Sequence, residues 1–230
     1  MKILSIETAT ERGSVAVLHD GELLARRIQG AANHSEAILR DVRALLAEAG
    51  LSAGMLDAVA FGAGPGAFTG LRLACGLAQG IALAVGLGVV AVGSLQALAL
   101  QTGAARAFVA TDARMGEIYS AAFELDRDGV PTQLGEVRCS APIDVELPPG
   151  DWFAAGSAFK VWPEVLEQGF MGRWLGIDPE LMPRAEEVAR LAAVAVGRGQ
   201  LLAPEHAAPL YVRDKVALTT AERLARGGRA

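Results

Sequence analysis

The sequence predicts a two-lobed α/β protein, and three observations carry that prediction. Strands and helices alternate through the first hundred residues, the opening three-strand pattern recurs after residue 104, and 52% of the 230 residues are hydrophobic against 20% charged. A chain of this length buries one large core or two smaller ones of about a hundred residues each. Residues 2–8 read as a strand, 14–19 as a second, and Asp20-Gly21 is the turn dipeptide leading to a third at 22–28. An amphipathic helix follows over 35–49 and stops at Gly50. Residues 57–62 read as a buried strand, 70–85 as a second helix, 89–92 as a strand and 95–100 as a third helix.

The second half echoes the first. Residues 108–111 read as a strand, 118–124 as the next after Gly116, and Asp128-Gly129 turns into a third at 133–138. A strand at 152–155, a helix from 157, an irregular stretch near 170, a helix over 185–196 and an extended segment over 203–209 complete the pattern, with a frayed end at 225–230. This order is that of a ribonuclease H-like lobe. Two such lobes, at 1–103 and, in reduced form, at 104–230, make the plan of the actin-like (ASKHA) ATPases. On that plan Glu7 and Asp112 sit at corresponding turns and face a shared cleft, although fold alone establishes no activity.

A net charge of -5 supplies no long-range attraction to nucleic acid, so any such contact through Arg213, Lys215 or the basic tail is local or arises within a complex. The two cysteines, Cys75 and Cys139, are not spaced as zinc ligands and are expected to be reduced thiols. The apolar run at the N-terminus is too short for a signal peptide, which suggests a cytoplasmic address. Residues 73–92 carry no charge and match a membrane span in length. Gly86-Leu87-Gly88 interrupts them and no cluster of Lys or Arg flanks them, so helix, turn and buried strand are expected instead.

The most informative stretch is Gly64-Pro65-Gly66-Ala67-Phe68-Thr69-Gly70-Leu71-Arg72, a glycine-rich loop running into the second helix. Thr69 is expected to cap that helix, and free N–H groups at a helix start attract anions. A tight turn required only for packing explains the glycines equally well. No Lys follows as in a Walker loop, and the spacing is not that of a dinucleotide fingerprint. Thr8 and Thr10 in the first hairpin, with Gly64, Gly66 and Asp112, are the candidate vestiges of a phosphate site; the threonines are also ordinary turn formers. Arg114 and Met115 occupy a second hairpin where phosphate would favour glycine, and Gly156-Ser157 reads as an adenosine-contacting remnant or a plain helix start. No catalytic residue and no metal are expected. His19, His34 and His206 share no helix face, and no serine lies in a nucleophile elbow.

The first helix carries Ile38, Val42 and Leu45 on one stripe with Leu39 and Leu46 beside it, and the second carries Ala74 and Ala78 on one face with Gly76 and Gly80 on another. A helix apolar nearly all round is buried on several sides, by its own fold or by a partner. Ile38, Val42, Leu45, Ala74, Gly76, Ala78 and Gly80 are therefore the candidate partner interface.

The nonapeptide at 64–72 resembles the signature of the TsaB (YeaZ) family, supported by Ile6-Glu7-Thr8, His34-Ser35-Glu36, residues 112–119 and Pro209-Leu210-Tyr211-Val212-Arg213. The resemblance implies a noncatalytic partner of TsaD in threonylcarbamoylation of the adenosine beside the tRNA anticodon. It also implies that TsaE joins that assembly, that TsaC makes the activated intermediate, and that the chain homodimerises when TsaD is absent. In the TsaD family a histidine pair on the helix corresponding to 35–49 resembles part of a metal site; here His34 is followed four residues on by Ile38, which removes that pair. No cofactor is expected beyond weak ATP or ADP binding. The rival from another class is an independent ATP-dependent phosphotransferase using Glu7 and Asp112; a metallopeptidase is the lesser alternative.

Overall fold

Leu4, Ile6, Val15 and Val17 are all fully buried and alternate with residues facing the opposite way, which fixes both faces of a central sheet. A computed structural model describes residues 1–29 and 34–213, with the side chains of residues 29, 34 and 35 outside that description. The elements run β1 (Lys2–Glu7), β2 (Arg12–His19), β3 (Glu22–Gln29), α1 (His34–Glu48), β4 (Ala58–Gly64), α2 (Phe68–Val85), β5 (Gly88–Gly93) and α3 (Ser94–Thr102). They continue with β6 (Arg106–Arg114), β7 (Glu117–Leu125), β8 (Pro131–Ser140), β9 (Trp152–Ala155), α4 (Ala158–Val161), β10 (Trp174–Asp178) and α5 (Ala185–Gly197). A π-helical turn at Glu164–Gln168 and β10 occupy the stretch expected to be irregular. Gly176 had hidden β10: a Cβ there would press on the Phe153 ring, so glycine marks a close approach inside a strand.

Among the described residues there are two five-stranded sheets, ordered β3-β2-β1-β4-β5 and β8-β7-β6-β9-β10. In each, the first strand pairs antiparallel with the second and parallel with the fourth, and the fourth and fifth are parallel. The echo in the sequence is thus an echo in strand order and sense. The connections differ. Where α1 bridges β3 and β4, only a short 3-10 turn at Pro142–Asp144 lies between β8 and β9, and four-residue α4 stands where α2 has 18 residues.

α1 and α2 cover one face of the first sheet, packing Ile38, Val42, Leu45, Ala74, Ala78 and Ala82 onto Leu4, Val15, Val59 and Phe61. α3 lies between the sheets, with Ala97 against the first and Leu95, Leu98 and Ala99 against the second. The second sheet's other face holds Trp152, Phe159 and Leu166. The expected division at residue 103 falls between the sheets, yet α5, encoded far beyond it, packs Val188, Leu191 and Ala192 back onto Ile3, Ala60 and Val90. Ser5 Oγ donates to the Ala185 carbonyl at 2.7 Å and the Ala185 N–H donates to Ser14 Oγ at 2.9 Å, fixing the start of α5 on the first sheet.

α2 is long and apolar enough to cross a bilayer by length and composition, but its Leu71, Ala74, Cys75, Ala78 and Ala82 face the protein's own core. It begins at Phe68 after the cap residue Ala67, so Thr69 lies inside the helix and does not cap it. Lys215 and residues 225–230, expected to be basic tail and frayed end, lie outside the described residues.

Candidate functional site

The elements around the Gly64 loop converge because glycines let backbone touch backbone. A Cβ at Gly66 would overlap the Ala9 carbonyl and one at Gly70 the Thr8 carbonyl, so the hairpin between β1 and β2 lies directly on the start of α2. Thr8 Oγ1 donates to the Gly70 carbonyl at 2.7 Å, and the Ala67 N–H donates to the Ala9 carbonyl at 2.8 Å. Gly64 has φ 110° and donates its N–H to Ser94 Oγ at 3.2 Å; its peptide bond to Pro65 is cis. These contacts account for the glycines as packing.

Glu7 is turned away from solvent. It is 1% exposed, at the end of β1 facing the space left by Gly62, where any Cβ would overlap its carboxylate. Its carboxylate accepts from the Ala9 N–H at 2.6 Å and from the Ser94 hydroxyl at 2.8 Å. Burial pushes the Glu7 carboxyl above the ordinary range, and these two hydrogen bonds pull against that rise. The expectation that Glu7 faces a shared cleft is therefore corrected: it clamps the hairpin, the Gly64 loop and the start of α3 together.

A cleft of about 690 Å³ lies between the β1–β2 hairpin and the start of α2 on one side and the β6–β7 tip and α4 on the other, lined by Thr8, Thr10, Gly66, Asp112, Arg114 and Ser157 among others. Four of the five candidate vestiges line it; Gly64 instead lines a separate, smaller pocket with Gly93 and Leu210. Thr10 Oγ1 is occupied in the local turn with Arg12. Asp112 is held by Arg114, whose N–H donates to it at 3.1 Å and whose guanidinium lies 3.3 Å away, and the Asp112 N–H donates to Ser157 Oγ at 3.0 Å. Gly156 is needed because a Cβ there would overlap the Ala110 carbonyl, so the Gly156-Ser157 turn is a packing joint. Three of the four basic side chains lining the cleft are paired with acids, Lys160 with Glu180 at 2.5 Å, Arg114 with Asp112 and Arg213 with Glu117, while Arg12 makes no ion pair among the described residues. A magnesium–nucleotide of the actin-like kind fits these residues poorly. The first acid is buried, the second is paired, and the Ala67 N–H at the start of α2 is already bonded. Among the described residues no three of His, Cys, Asp and Glu gather as metal ligands.

The expected partner residues divide into two sets. Ile38, Val42, Leu45, Ala74 and Ala78 are each at most 4% exposed and form the chain's own core, so assigning them to a docking surface is corrected. The cause is that the widest apolar stripe of each helix covers the sheet. Gly76 and Gly80 face outward, and a Cβ at either meets nothing within 4 Å. They lie on a stripe with Phe68, Arg72 and Leu83, the last 71% exposed. At its head Arg72 stacks 3.9 Å from the Phe68 ring centroid and donates to Tyr211 Oη at 3.1 Å. The four-residue spacing of Phe68 and Arg72 was visible in the sequence; the arrival of Tyr211 and the joining role of Ser94 were not.

A family model described as TsaD, tRNA N6-adenosine threonylcarbamoyltransferase, matches residues 28–150. The Escherichia coli protein named tRNA threonylcarbamoyladenosine biosynthesis protein TsaB is 36% identical over 94% of this chain and 96% of its own length. The chain belongs to the TsaB (YeaZ) family. The Haemophilus influenzae TsaB is 29% identical over 94% of this chain and 95% of its own. The solved structure of YeaZ from Pseudomonas aeruginosa superposes with a TM-score of 0.85 at 38% identity, covering 91% of this chain and 99% of that one. The membership expected from the nonapeptide and its companion blocks is borne out over nearly the full length.

Proposed function

We propose that this TsaB-family chain serves as a noncatalytic partner of TsaD in forming threonylcarbamoyladenosine on tRNA, within the cytoplasm, on a degenerate actin-like fold. The relatives named as threonylcarbamoyladenosine biosynthesis proteins, and the resemblance of residues 28–150 to a TsaD model, support this reading. The observation that carries the partner role is the outer stripe of α2. Gly76 and Gly80 let another helix approach closely, while Phe68 and Leu83 offer apolar contact at either end. Fully burying a side chain of this kind yields about 1.5–3 kcal/mol, against roughly 4–15 kcal/mol for association, so docking must draw on more than these two residues.

The closed fit of the first hairpin on α2 and the pairing of Asp112 support a chain without its own phosphotransfer. In this reading TsaE joins the TsaB–TsaD pair, and the outer stripe pairs with a second copy when TsaD is absent. Reconstitution with purified TsaD, TsaC and TsaE, with and without this chain, tests it by counting modified adenosine. Modification only when the chain is present supports the partner role; equal modification without it, or magnesium–ATP turnover by the isolated chain, overturns it.

A further inference from the structure

Residues 201–213 follow a path that neither the sheets nor the docking stripe explains. Leu202 bridges to Val89 at the edge of the first sheet, Gln79 Nε2 donates to the carbonyls of Pro204 and Ala207, and the Leu210 N–H donates to the Ala63 carbonyl at 2.7 Å. Tyr211 then lies 5.5 Å from Phe68, ring centroid to centroid, at the head of the outer stripe. Two residues on, the segment has crossed to the other lobe. Arg213 pairs with Glu117 Oε2 at 2.6 Å and donates to the carbonyls of Ala113 and Arg114 at 3.0 and 3.2 Å.

The place where Arg213 lands is unusual. Arg114 and Met115 at the tip between β6 and β7 have φ of 64° and 57°, a left-handed conformation that non-glycine residues rarely adopt, followed by Gly116 at 80°. Arg213 bonds the carbonyls on the N-terminal side of that tip and the carboxylate on its C-terminal side. Only 14% of its side chain is exposed, and its guanidinium lies 5.9 Å from the Tyr119 ring. One cation thus closes the tip like a buckle.

We infer that residues 201–213 are an inter-lobe strap with Arg213 as its clasp, so that seating the strap on α2 holds the strained β6–β7 tip and sets the mouth of the cleft. Tyr211 gives this device an input. A partner lying on the outer stripe meets Phe68, Arg72 and Tyr211 together, and any shift of Tyr211 is carried two residues along the chain to Arg213. This relay rests on the docking reading of α2; the clasp does not.

Hydrogen exchange followed by mass spectrometry on the full chain tests both. In the isolated chain, Arg213→Ala is expected to speed exchange about tenfold in peptides covering 113–119 and 207–213 together, leaving the central strand at 58–61 unchanged. Glu117→Gln and Arg213→Lys are expected to do the same to a smaller extent, because neither keeps the charged fork on the carboxylate, and they decide the matter if Arg213→Ala unfolds. Unchanged exchange at 113–119 overturns the clasp. With cognate TsaD added, the wild-type tip is expected to change its protection, and Arg213→Ala is expected to bind TsaD without that change. A wild-type chain that captures TsaD while its tip stays unchanged overturns the relay. One that captures no TsaD overturns the docking reading and leaves the clasp to stand on the first measurement.

Discussion

Changing Gly70 and Gly76 to alanine, one at a time, sets two turns of the same helix against each other. At Gly70 the new methyl would overlap the Thr8 carbonyl oxygen, with the Thr8 carbonyl carbon 3.0 Å away, and neither atom belongs to a side chain that can rotate aside. The hairpin must lift off α2. Overpacking of this kind costs about 1–3 kcal/mol, and losing the bonds from Thr8 Oγ1 to the Gly70 carbonyl and from the Ala67 N–H to the Ala9 carbonyl costs about 0.5–1.5 kcal/mol each. The expected destabilisation is therefore about 2–6 kcal/mol. At Gly76 the methyl meets nothing within 4 Å, and alanine in a helix interior is favoured by about 0.8–1 kcal/mol. Urea unfolding followed by circular dichroism reads both changes as shifts in midpoint at constant slope, and in a chain of this size 1 kcal/mol moves the melting temperature by about 2–4 °C. Equal losses from the two variants, or a larger loss at Gly76, would refute the argument that Gly70 exists for backbone contact.

Gly80→Arg is expected to abolish capture of TsaD in a pull-down while far-ultraviolet circular dichroism stays native, because the position opens outward. Ala78→Arg, two residues away and fully buried, is expected to yield no folded protein, since it places an unpaired charge in the core. Glu7→Gln is expected to remove a pH dependence. With its folded pKa raised, Glu7 binds a proton more readily in the native chain, so its contribution is greatest below about pH 4.3 and is lost as pH rises through the folded value. The stability of Glu7→Gln relative to wild type should accordingly rise with pH over that window, and a flat difference would contradict the burial argument. Phe61→Ala, emptying a fully buried site under α1 and α2, is expected to cost about 3–5 kcal/mol in the same unfolding assay.

All the strands except β10 were legible, in the first sheet because Leu4, Ile6, Val15 and Val17 alternate, and in both because Asp20-Gly21 and Asp128-Gly129 mark the hairpin turns. The outward stripe of α2 was only half legible. Periodicity groups Gly76 with Gly80 and Ala74 with Ala78 but does not tell which group meets the sheet, since small apolar residues stand on both faces. Glu7 misled for a related reason: an acid at a strand end reads as exposed, and only Gly62 on the adjacent strand, with Ser94 87 positions along the chain, makes room and partners for it inside. Arg213 reads in the sequence as a charge available to RNA, and its contacts 100 residues back leave no local trace there.

The return of α5 to the first sheet bears on how the chain is made. Ile3, Ala58, Ala60, Val90 and Val92 have left the ribosome long before Val188 and Leu191 exist to complete their cover, so the side of the earliest sheet that α3 covers only in part stays partly wet until the last fifth of the chain is synthesised. A fragment ending near residue 103 would keep the α5 share of that side bare for good. It should be sticky, short-lived and dependent on chaperones, whereas a circular permutant that begins just before α5 would deliver the missing cover first.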